Sequence, residues 1–301
     1  MAFRNLVIGA EAELSLKNRQ LCIKTDTVND TVPVEDIDTI LVENRHSVLS
    51  AALLGALAKS GAALFICDEF HMPCAVLLPF LQHSRQHDVT KKQLALSLPA
   101  KKQLWKQIVT YKIANQSRCL ALCDNEKIAL ELMAIAKNVK SGDSGYAESH
   151  AAAQYFTALF GRGFTREQDY DHRNAWLNYG YAILRGCVAR TLAVYGFFPT
   201  FGIQHHSQLN QFNLADDFME AFRPLVDLFV AKNAVKDTEL TPQAKRRLVN
   251  LVNYNIVVDG KKYALTYAIE RTVKSFSSML MGKRNDLLLP ELTILEQHMY
   301  E

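Results

Sequence analysis

The spacing of apolar residues changes along this chain, and the change limits what the chain can fold into. Up to residue 85 the apolar residues form short, partly alternating runs bounded by turn residues, a pattern typical of β-strands. From residue 101 onward they recur at the spacing of long amphipathic helices. The sequence therefore predicts an α+β fold, with a small β-rich N-terminal domain followed by a larger, all-helical C-terminal domain.

Individual elements can be predicted within these regions. We predict a small antiparallel β unit with strands at 6–8, 13–16, 20–24 and 31–34, and further strands at 38–42, 62–67 and 75–78. A helix at 47–59 should end near Gly61. Further helices are predicted at 101–122, 125–139, 145–160, 175–194, 214–232, 242–252 and 262–281. Residues 86–100 are polar and basic and contain Pro99, so we predict a linker there between domains at 1–85 and 101–301.

The composition excludes several classes of protein. With 301 residues, 49% of them hydrophobic and 22% charged, the chain is typical of a globular protein with two unequal domains, not of a disordered one. Its first residues lack the pattern of a secretory leader, and polar residues interrupt every potential membrane span. Six cysteines without a CxxC pair argue against a zinc ribbon. We expect a cytoplasmic protein with no membrane association.

Charge is distributed unevenly along the chain. The net charge of +3 is too small to identify a nucleic-acid binder. Residues 25–44 contain acidic residues and no Lys or Arg, whereas 85–118 contain a single acid, Asp88, among many basic residues. The basic residues are Arg85, Lys91, Lys92, Lys101, Lys102, Lys106, Lys112 and Arg118. Such asymmetry can steer a polyanion, although a solvated helix face explains the lysines equally well.

Acids and histidines are the remaining candidates for chemistry, because the sequence has no phosphate-binding loop and no dinucleotide fingerprint. Glu148 lies among small residues in a predicted helix, and taken alone it is better explained as an exposed helix residue. His205 and His206 are paired in a predicted loop, where functional side chains are often held.

The run from Asn213 to Pro224 begins a predicted helix with several acids, which the helix dipole explains in part. Asp216 and Glu220 share a face at i and i+4, and Arg223 follows Glu220 at i+3, so the cluster could hold a metal and its phosphate. Carboxylates with an imidazole suit Mg²⁺ or Mn²⁺. The residues alone therefore point to metal-assisted phosphoryl transfer.

Together these motifs resemble the CRISPR adaptation integrases, the larger of the two proteins that acquire spacers. The most specific signature is Gly202 to His205 followed by the run 214–224, Leu-Ala-Asp-Asp-Phe-Met-Glu-Ala-Phe-Arg-Pro. Further segments that resemble the family are 37–43, 65–69 with Pro73, 104–108, 112–116 and 174–181. The compact length and the doubled histidine are similar to integrases of type II systems.

The resemblance implies a set of metal ligands and partners. Glu148, His205 and Glu220 would bind Mg²⁺ or Mn²⁺, supported by Asp216 or Asp217, with His205 favoured over His206 by register. Some family members have additional aspartates as ligands where this sequence has other residues. The family also implies an N-terminal β-sandwich through which two copies form a homodimer, a helical catalytic domain, and a small companion protein that bridges two dimers in a prokaryotic cell.

The implied reaction joins the 3′-hydroxyl ends of captured DNA into the CRISPR repeat by transesterification. Two alternatives remain: a structure-specific metal-dependent DNA endonuclease, and a noncatalytic DNA-binding or assembly subunit. For Arg223 we favour pairing with Glu220 or Asp227 over a phosphate contact. DNA contacts are expected from the basic segment and from 245–247. Tyr170 and His172 are candidates for stacking on splayed DNA ends, although core packing explains tyrosines equally well.

Overall fold

Two four-stranded β-sheets form the N-terminal part of the chain in this computed structural model, which describes residues 4–79, 85–166 and 171–299. The strands are β1 (Arg4–Ile8), β2 (Glu13–Lys17), β3 (Gln20–Lys24), β4 (Asn29–Pro33), β5 (Ile37–Val42), β6 (Val48–Leu49), β7 (Ala63–Cys67) and β8 (Pro73–Leu77). The first sheet has the order β1-β5-β7-β8 and the second has the order β4-β3-β2-β6.

The predicted antiparallel unit is correct for only part of this region. Strands β2, β3 and β4 form an antiparallel meander, but β1, β5 and β7 are parallel to one another. The parallel pairing of β5 with β7 is possible because helix α1 (Ala51–Ser60) crosses between them. As predicted, α1 stops at Gly61, which adopts a left-handed conformation with φ of 77°.

Strand β5 lies between two apolar layers and is buried along its whole length. Ile40 and Val42 face a core that both sheets share with α1, whereas Leu41 belongs to the larger core of the helical region. Successive residues of a strand point to opposite faces, so one sheet can serve both cores. Phe65 on β7 contacts the helical region so closely that a Cβ at Gly186 would lie 1.9 Å from its ring.

The rest of the chain is mainly helical, as predicted. The helices are α2 (Gln86–Leu94), α3 (Leu98–Ala121), α4 (Glu126–Lys137), α5 (Ala147–Phe160), α6 (His172–Val194), α7 (Asn213–Met219), α8 (Arg223–Asn233), α9 (Pro242–Val249) and α10 (Leu265–Leu280). No helix in the described ranges is long and apolar enough to cross a membrane.

A β-hairpin corrects the prediction that this region is all helical. Strands β9 (Asn255–Val258) and β10 (Lys261–Ala264) pair antiparallel where we predicted the start of the last helix. Asp259 and Gly260 form the turn with φ of 54° and 71°. An Asp-Gly pair with two positive φ values is the typical two-residue hairpin turn, so the signal was present in the sequence.

The single helix predicted at 214–232 is also wrong, because α7 ends at Met219 and α8 begins at Arg223. Pro224 has no backbone N–H and is accommodated in the first turn of α8. Asn115 on α3 donates a hydrogen bond of 2.8 Å to the carbonyl of Ala221 in the break. The interruption leaves Glu220 at the end of α7, beside α3.

Residues 86–100, predicted as a linker, contain α2 and the first turn of α3. Val89 and Gln93 of α2 are buried, at the i and i+4 spacing of one helix face. Pro99 lies in the first turn of α3, after Ser97 has capped the helix by accepting from the N–H of Ala100 at 3.4 Å. The segment is helical and partly buried, and the domain boundaries stay a prediction.

Candidate active site

A lysine joins two of the predicted site residues. The Lys112 Nζ atom lies 2.6 Å from Oε1 of Glu148 and 2.5 Å from Oε2 of Glu220. The Lys112 side chain is 13% exposed and that of Glu220 only 4%, whereas that of Glu148 is 28% exposed. Helices α3 and α5 and the end of α7 therefore bring two carboxylates to one ammonium group at the edge of the core.

Glu148 occupies the first turn of α5, where its position is fixed by a cap. Asp143 accepts hydrogen bonds from the backbone N–H groups of Ala147 at 2.8 Å and Glu148 at 3.1 Å. These N–H groups have no partner within the helix, so an acidic residue stabilises the helix start through both hydrogen bonds and the dipole. The cap therefore holds the backbone of Glu148 in place at the start of α5.

Glu220 is buried but surrounded by positive charge. Arg223 Nε lies 3.0 Å from Glu220 Oε1, so the pairing predicted for Arg223 is confirmed. The Arg223 guanidinium also stacks on the ring of Tyr181, 4.7 Å from its centroid. Burial raises the pKa of Glu220, but Lys112 and Arg223 outweigh it, so the net effect is a pKa below the ordinary value. Glu220 is therefore anionic at neutral pH.

His205 is held by Asp217, which is buried at the first turns of α7. Asp217 accepts from Nδ1 of His205 at 2.8 Å and from the backbone N–H groups of Ile203, Gln204 and His205. Because a carboxylate only accepts, Nδ1 carries the hydrogen in the neutral ring. Nε2 is then the unprotonated nitrogen. The hydrogen bond to Asp217 raises the pKa of His205 above its ordinary value.

The loop before His205 is packed too tightly for any residue but glycine at Gly202. A Cβ there would lie 2.1 Å from the His205 carbonyl oxygen and 2.8 Å from Asp217 Oδ2. From α3, Trp105 packs edge-on against the imidazole of His205 with ring centroids 5.7 Å apart. Helix α3 thus supplies both Trp105 beside His205 and Lys112 beside the carboxylates.

Gln93 of α2 holds the opposite side of this loop. Its Nε2 donates to the carbonyls of Phe198 at 2.9 Å and Phe201 at 3.0 Å, and its Oε1 accepts from the N–H of Phe198 at 3.1 Å. These bonds satisfy an amide that is otherwise buried. The His205 loop is therefore fixed by Asp217 at one end and by Gln93 at the other.

Asp216 has a different role from its neighbour. Arg185 on α6 binds both its oxygens, with Nε 2.6 Å from Oδ1 and Nη2 2.9 Å from Oδ2. Asn210 donates a further hydrogen bond of 2.6 Å to Oδ2. This bidentate pair anchors α7 to α6. Asp216 shares a helix face with Glu220, but its carboxylate is committed to Arg185.

Two lysines that we expected to contact DNA, Lys112 and Lys245, pair with acidic side chains instead. Lys245 is buried and pairs with Glu43 at 2.7 Å, so the prediction that it contacts DNA is wrong. Lys112 belongs to the site and is not a solvated cation. The exposed basic residues of the two segments are Arg85, Lys91, Lys92, Lys102, Lys106, Arg246 and Arg247.

The other candidates from the sequence are His172 and Tyr170, for stacking on DNA, and His206, the second histidine of the pair. His172 begins α6 and is half-buried, and Tyr170 lies outside the described residues. His206 is exposed, with its Nδ1 2.6 Å from the carbonyl oxygen of Gln204. Among the residues that the structure describes, His206 has no carboxylate partner of the kind that orients His205.

The side chains of Glu148, Glu220 and His205 are of types that bind divalent cations, although they are not grouped around a single position. Within 4–79, 85–166 and 171–299, no three His, Cys, Asp or Glu side chains are grouped closely enough to hold a metal. Glu148 and Glu220 nevertheless converge on one positive charge, and His205 contributes to the electrostatic environment of Glu220. Two carboxylates and an oriented imidazole are ligands that suit Mg²⁺ or Mn²⁺.

Sequence reasoning missed Lys112, Trp105, Gln93 and Asp143 as parts of the site. For Lys112 a signal was available, because the part of α3 that precedes it is apolar on the same face. The buried residues on α3 include Leu104, Trp105, Ile108, Val109 and Ile113. A lysine at helical spacing within such a face must find a buried acid or place its ammonium at the surface.

Known proteins resemble the chain over nearly its whole length. The family model described as CRISPR associated protein Cas1 matches residues 6–250. A CRISPR-associated endonuclease Cas1 from Neisseria meningitidis serogroup C (strain 8013) is 45% identical, over 100% of both chains. The ranges of both matches span positions 148, 205 and 220.

Solved structures share the fold at low sequence identity. A casposase bound to integration product matches with a TM-score of 0.77 and 21% identity, covering 94% of this chain and 92% of that one. A chain of a Cas6-RT-Cas1–Cas2 complex matches with a TM-score of 0.69 and 18% identity, covering 93% of this chain and 35% of the other. The chain belongs to the Cas1 family.

Proposed function

We propose that this chain is a divalent-metal-dependent DNA integrase, which joins 3′-hydroxyl ends of captured DNA into a CRISPR repeat array by transesterification. The observation that carries the proposal is the convergence of Glu148 and Glu220 on one cationic group, 2.6 and 2.5 Å away. Membership of the Cas1 family and the shared fold of a casposase support the same chemistry.

In this proposal Glu148, Glu220 and Nε2 of His205 hold Mg²⁺ or Mn²⁺. When bound there, the metal would supply Lewis acidity toward the scissile phosphate and the attacking hydroxyl. Asp217 keeps the imidazole oriented, and Asp143 keeps Glu148 at the helix start. Arg223 offsets the negative charge of Glu220, which lowers the repulsion that a DNA phosphate would meet.

Transesterification exchanges one phosphodiester bond for another. It therefore needs no nucleotide as an energy source, in agreement with a sequence that has no phosphate-binding loop. Charge also favours a DNA substrate at the surface, because Lys102 and Lys106 are exposed on α3, the helix that carries Lys112.

The proposed partners follow from the family. We propose a homodimer formed through the N-terminal sheets and a small companion protein that bridges two dimers, since a Cas1–Cas2 complex contains a chain of this fold. The protein would act in the cytoplasm of a prokaryotic cell, in a type II system, the subtype that the sequence resembles.

A structure-specific endonuclease is the main alternative, because the Neisseria relative carries that name. It would use the same residues with water as the nucleophile. A noncatalytic assembly subunit fits less well. Burying Glu220 beside Lys112 and Arg223 gives little net stability over an apolar packing, so a functional reason for these charges is the better explanation.

The test is incubation of the protein with a branched DNA that mimics a half-integrated fragment, with Mn²⁺ or with EDTA. Rejoined strands on a denaturing gel that require the metal are the expected result. Cleaved strands without joining would favour the endonuclease. No reaction, with or without metal, would favour a companion-dependent or noncatalytic role.

A further inference from the structure

Lys112 holds the position between the two carboxylates that the proposed metal would need. We propose that its ammonium substitutes for the metal in the apo protein, and that metal binding releases it to contact a DNA phosphate. This inference rests on the proposed function. It assigns Lys112 as a residue that controls how tightly the site binds a cation.

The contacts of Glu220 show why Lys112 or Arg223 has to move before a metal can bind its carboxylate. Its Oε1 faces Arg223 Nε at 3.0 Å and its Oε2 faces Lys112 Nζ at 2.5 Å. Divalent cations bond carboxylate oxygens at about 2.0–2.6 Å, so an ammonium at contact distance from the same oxygen blocks access to it. Glu148 is engaged in the same way through its Oε1, 2.6 Å from Nζ.

Lys112 is easier to displace than Arg223. The Arg223 guanidinium is stacked on Tyr181, and the Tyr181 hydroxyl in turn donates to the buried Asp227. The Lys112 ammonium is the end of a flexible four-carbon chain, and its side chain is 13% exposed. Rotation about these bonds can move the ammonium without moving the backbone of α3.

Charge accounts for both states. Without a cation between them, the Glu148 and Glu220 carboxylates would repel each other in a partly buried site. The ammonium removes this repulsion and keeps the two side chains together before the metal arrives. Once it is displaced, the ammonium is a point charge close to the reaction centre, which is the form in which lysine binds phosphate.

The first experiment measures Mn²⁺ binding in the absence of DNA, by the electron paramagnetic resonance signal of free Mn²⁺. The variants are Lys112→Met, which keeps the aliphatic chain, and Lys106→Met, which removes an exposed lysine from the same helix. Lys112→Met should bind Mn²⁺ at least about tenfold more tightly than the wild type, because no ammonium competes with the metal for the two carboxylates. Lys106→Met should bind as the wild type does.

Melting temperatures give a second readout on the same proteins. Apo Lys112→Met should melt below the wild type, and Mn²⁺ should raise its melting temperature by more than that of the wild type. Equal or weaker Mn²⁺ binding by Lys112→Met would overturn the inference. Glu220→Gln, made in an otherwise wild-type chain, separates this failure from a failure of the proposed function. If Glu220→Gln removes Mn²⁺ binding, the proposed metal site stands even when the inference about Lys112 does not.

A measurement on the wild type avoids any dependence on the folding of the variant. Reductive methylation followed by mass spectrometry reports how accessible each lysine amine is. Mn²⁺ should increase the labelling of Lys112 and leave that of Lys106 unchanged. Unchanged or lower labelling of Lys112 in saturating Mn²⁺ would contradict its release. Absence of Mn²⁺ binding by both the wild type and Lys112→Met would overturn the inference and the proposed metal site together.

Discussion

Asp217 accepts a hydrogen bond of 2.8 Å from Nδ1 of His205 while the same carboxylate also binds three consecutive backbone N–H groups of the loop that carries this histidine. One fully buried side chain therefore determines both the path of the loop and the orientation of the imidazole. The acid that lies beside it in sequence, Asp216, pairs with Arg185 instead.

Asp217→Asn should reduce strand joining without unfolding the protein. The new amide places a donor opposite N–H donors, at a cost of about 1–3 kcal/mol in unfolding free energy. Loss of a group that orients a metal ligand typically costs about 10–100-fold in activity or metal affinity, and we expect a loss in this range. The pKa of His205, followed by NMR, should fall, since its hydrogen bond to Asp217 raises it. A normal joining rate with an unchanged His205 pKa would show that Asp217 does not orient the histidine.

Gln93→Ala should loosen the His205 loop. The substitution removes three hydrogen bonds to the backbone of Phe198 and Phe201, worth roughly 1 kcal/mol each. Limited proteolysis should then cut within 198–210 faster than in the wild type, and strand joining should slow. Gln103→Ala on the exposed face of α3 is the matched control. Identical proteolysis of the two variants would argue against a role for Gln93 in holding the loop.

Asp143→Ala should displace Glu148. Removing the cap of α5 should lower the unfolding free energy by about 1 kcal/mol. Because Glu148 itself loses a hydrogen bond at its N–H, joining should fall more than this modest destabilisation explains. Asp143→Asn keeps an oxygen acceptor and should recover part of the activity. If Asp143→Ala joined DNA as fast as the wild type, the cap would be structural only.

Asp227 should make stability depend on pH. Burial raises the pKa of this carboxyl from 3.8 to about 6, although the Tyr181 and Tyr155 hydroxyls that donate to it oppose the shift. The folded state therefore keeps a proton that the unfolded chain releases. The stability that the Asp227 carboxyl contributes is fully present below pH 4 and is lost as the pH rises through about 6. The unfolding free energy falls by up to about 3 kcal/mol over this range.

The measurement is urea unfolding of the wild type and Asp227→Asn from pH 4 to pH 7. The wild type should lose stability relative to the variant as pH rises through this range. A difference between the two proteins that does not change with pH would show that Asp227 titrates near its ordinary pKa when folded.

Local patterns predicted the fold better than the site. Alternating runs and helical spacing identified seven of the ten described strands and most helices, because these signals lie within a few residues of each other. The break at Glu220 was missed although Pro224 is a local signal for it. The side chain that satisfies the Ala221 carbonyl in the break, Asn115 of α3, is distant in sequence. The hairpin at Asp259–Gly260 was missed although its turn signal was local.

The site could not be derived from spacing, because its members come from α3, α5 and α7. Taken alone, Glu148 looked like an exposed helix residue, and only the resemblance to a family selected it. Lys112 was counted in the basic segment 85–118, for which DNA contact and a solvated helix face were both left open. No sequence pattern reports which buried acids a lysine will meet in the folded chain. The ligand set itself stays a prediction.

The central claim is that Glu148, His205 and Glu220 hold the metal that joins DNA strands, and single-turnover joining by Glu220→Gln tests it most directly. With Mn²⁺ and a branched substrate, the rate should fall by at least ~100-fold, because losing a ligand should cost more than losing a group that only orients one. Fragment binding, measured on the same sample, should change little. The melting temperature should fall, because Lys112 and Arg223 lose a buried partner, but it should stay above the assay temperature. Joining at the wild-type rate by this variant would contradict the assignment of Glu220 as a ligand.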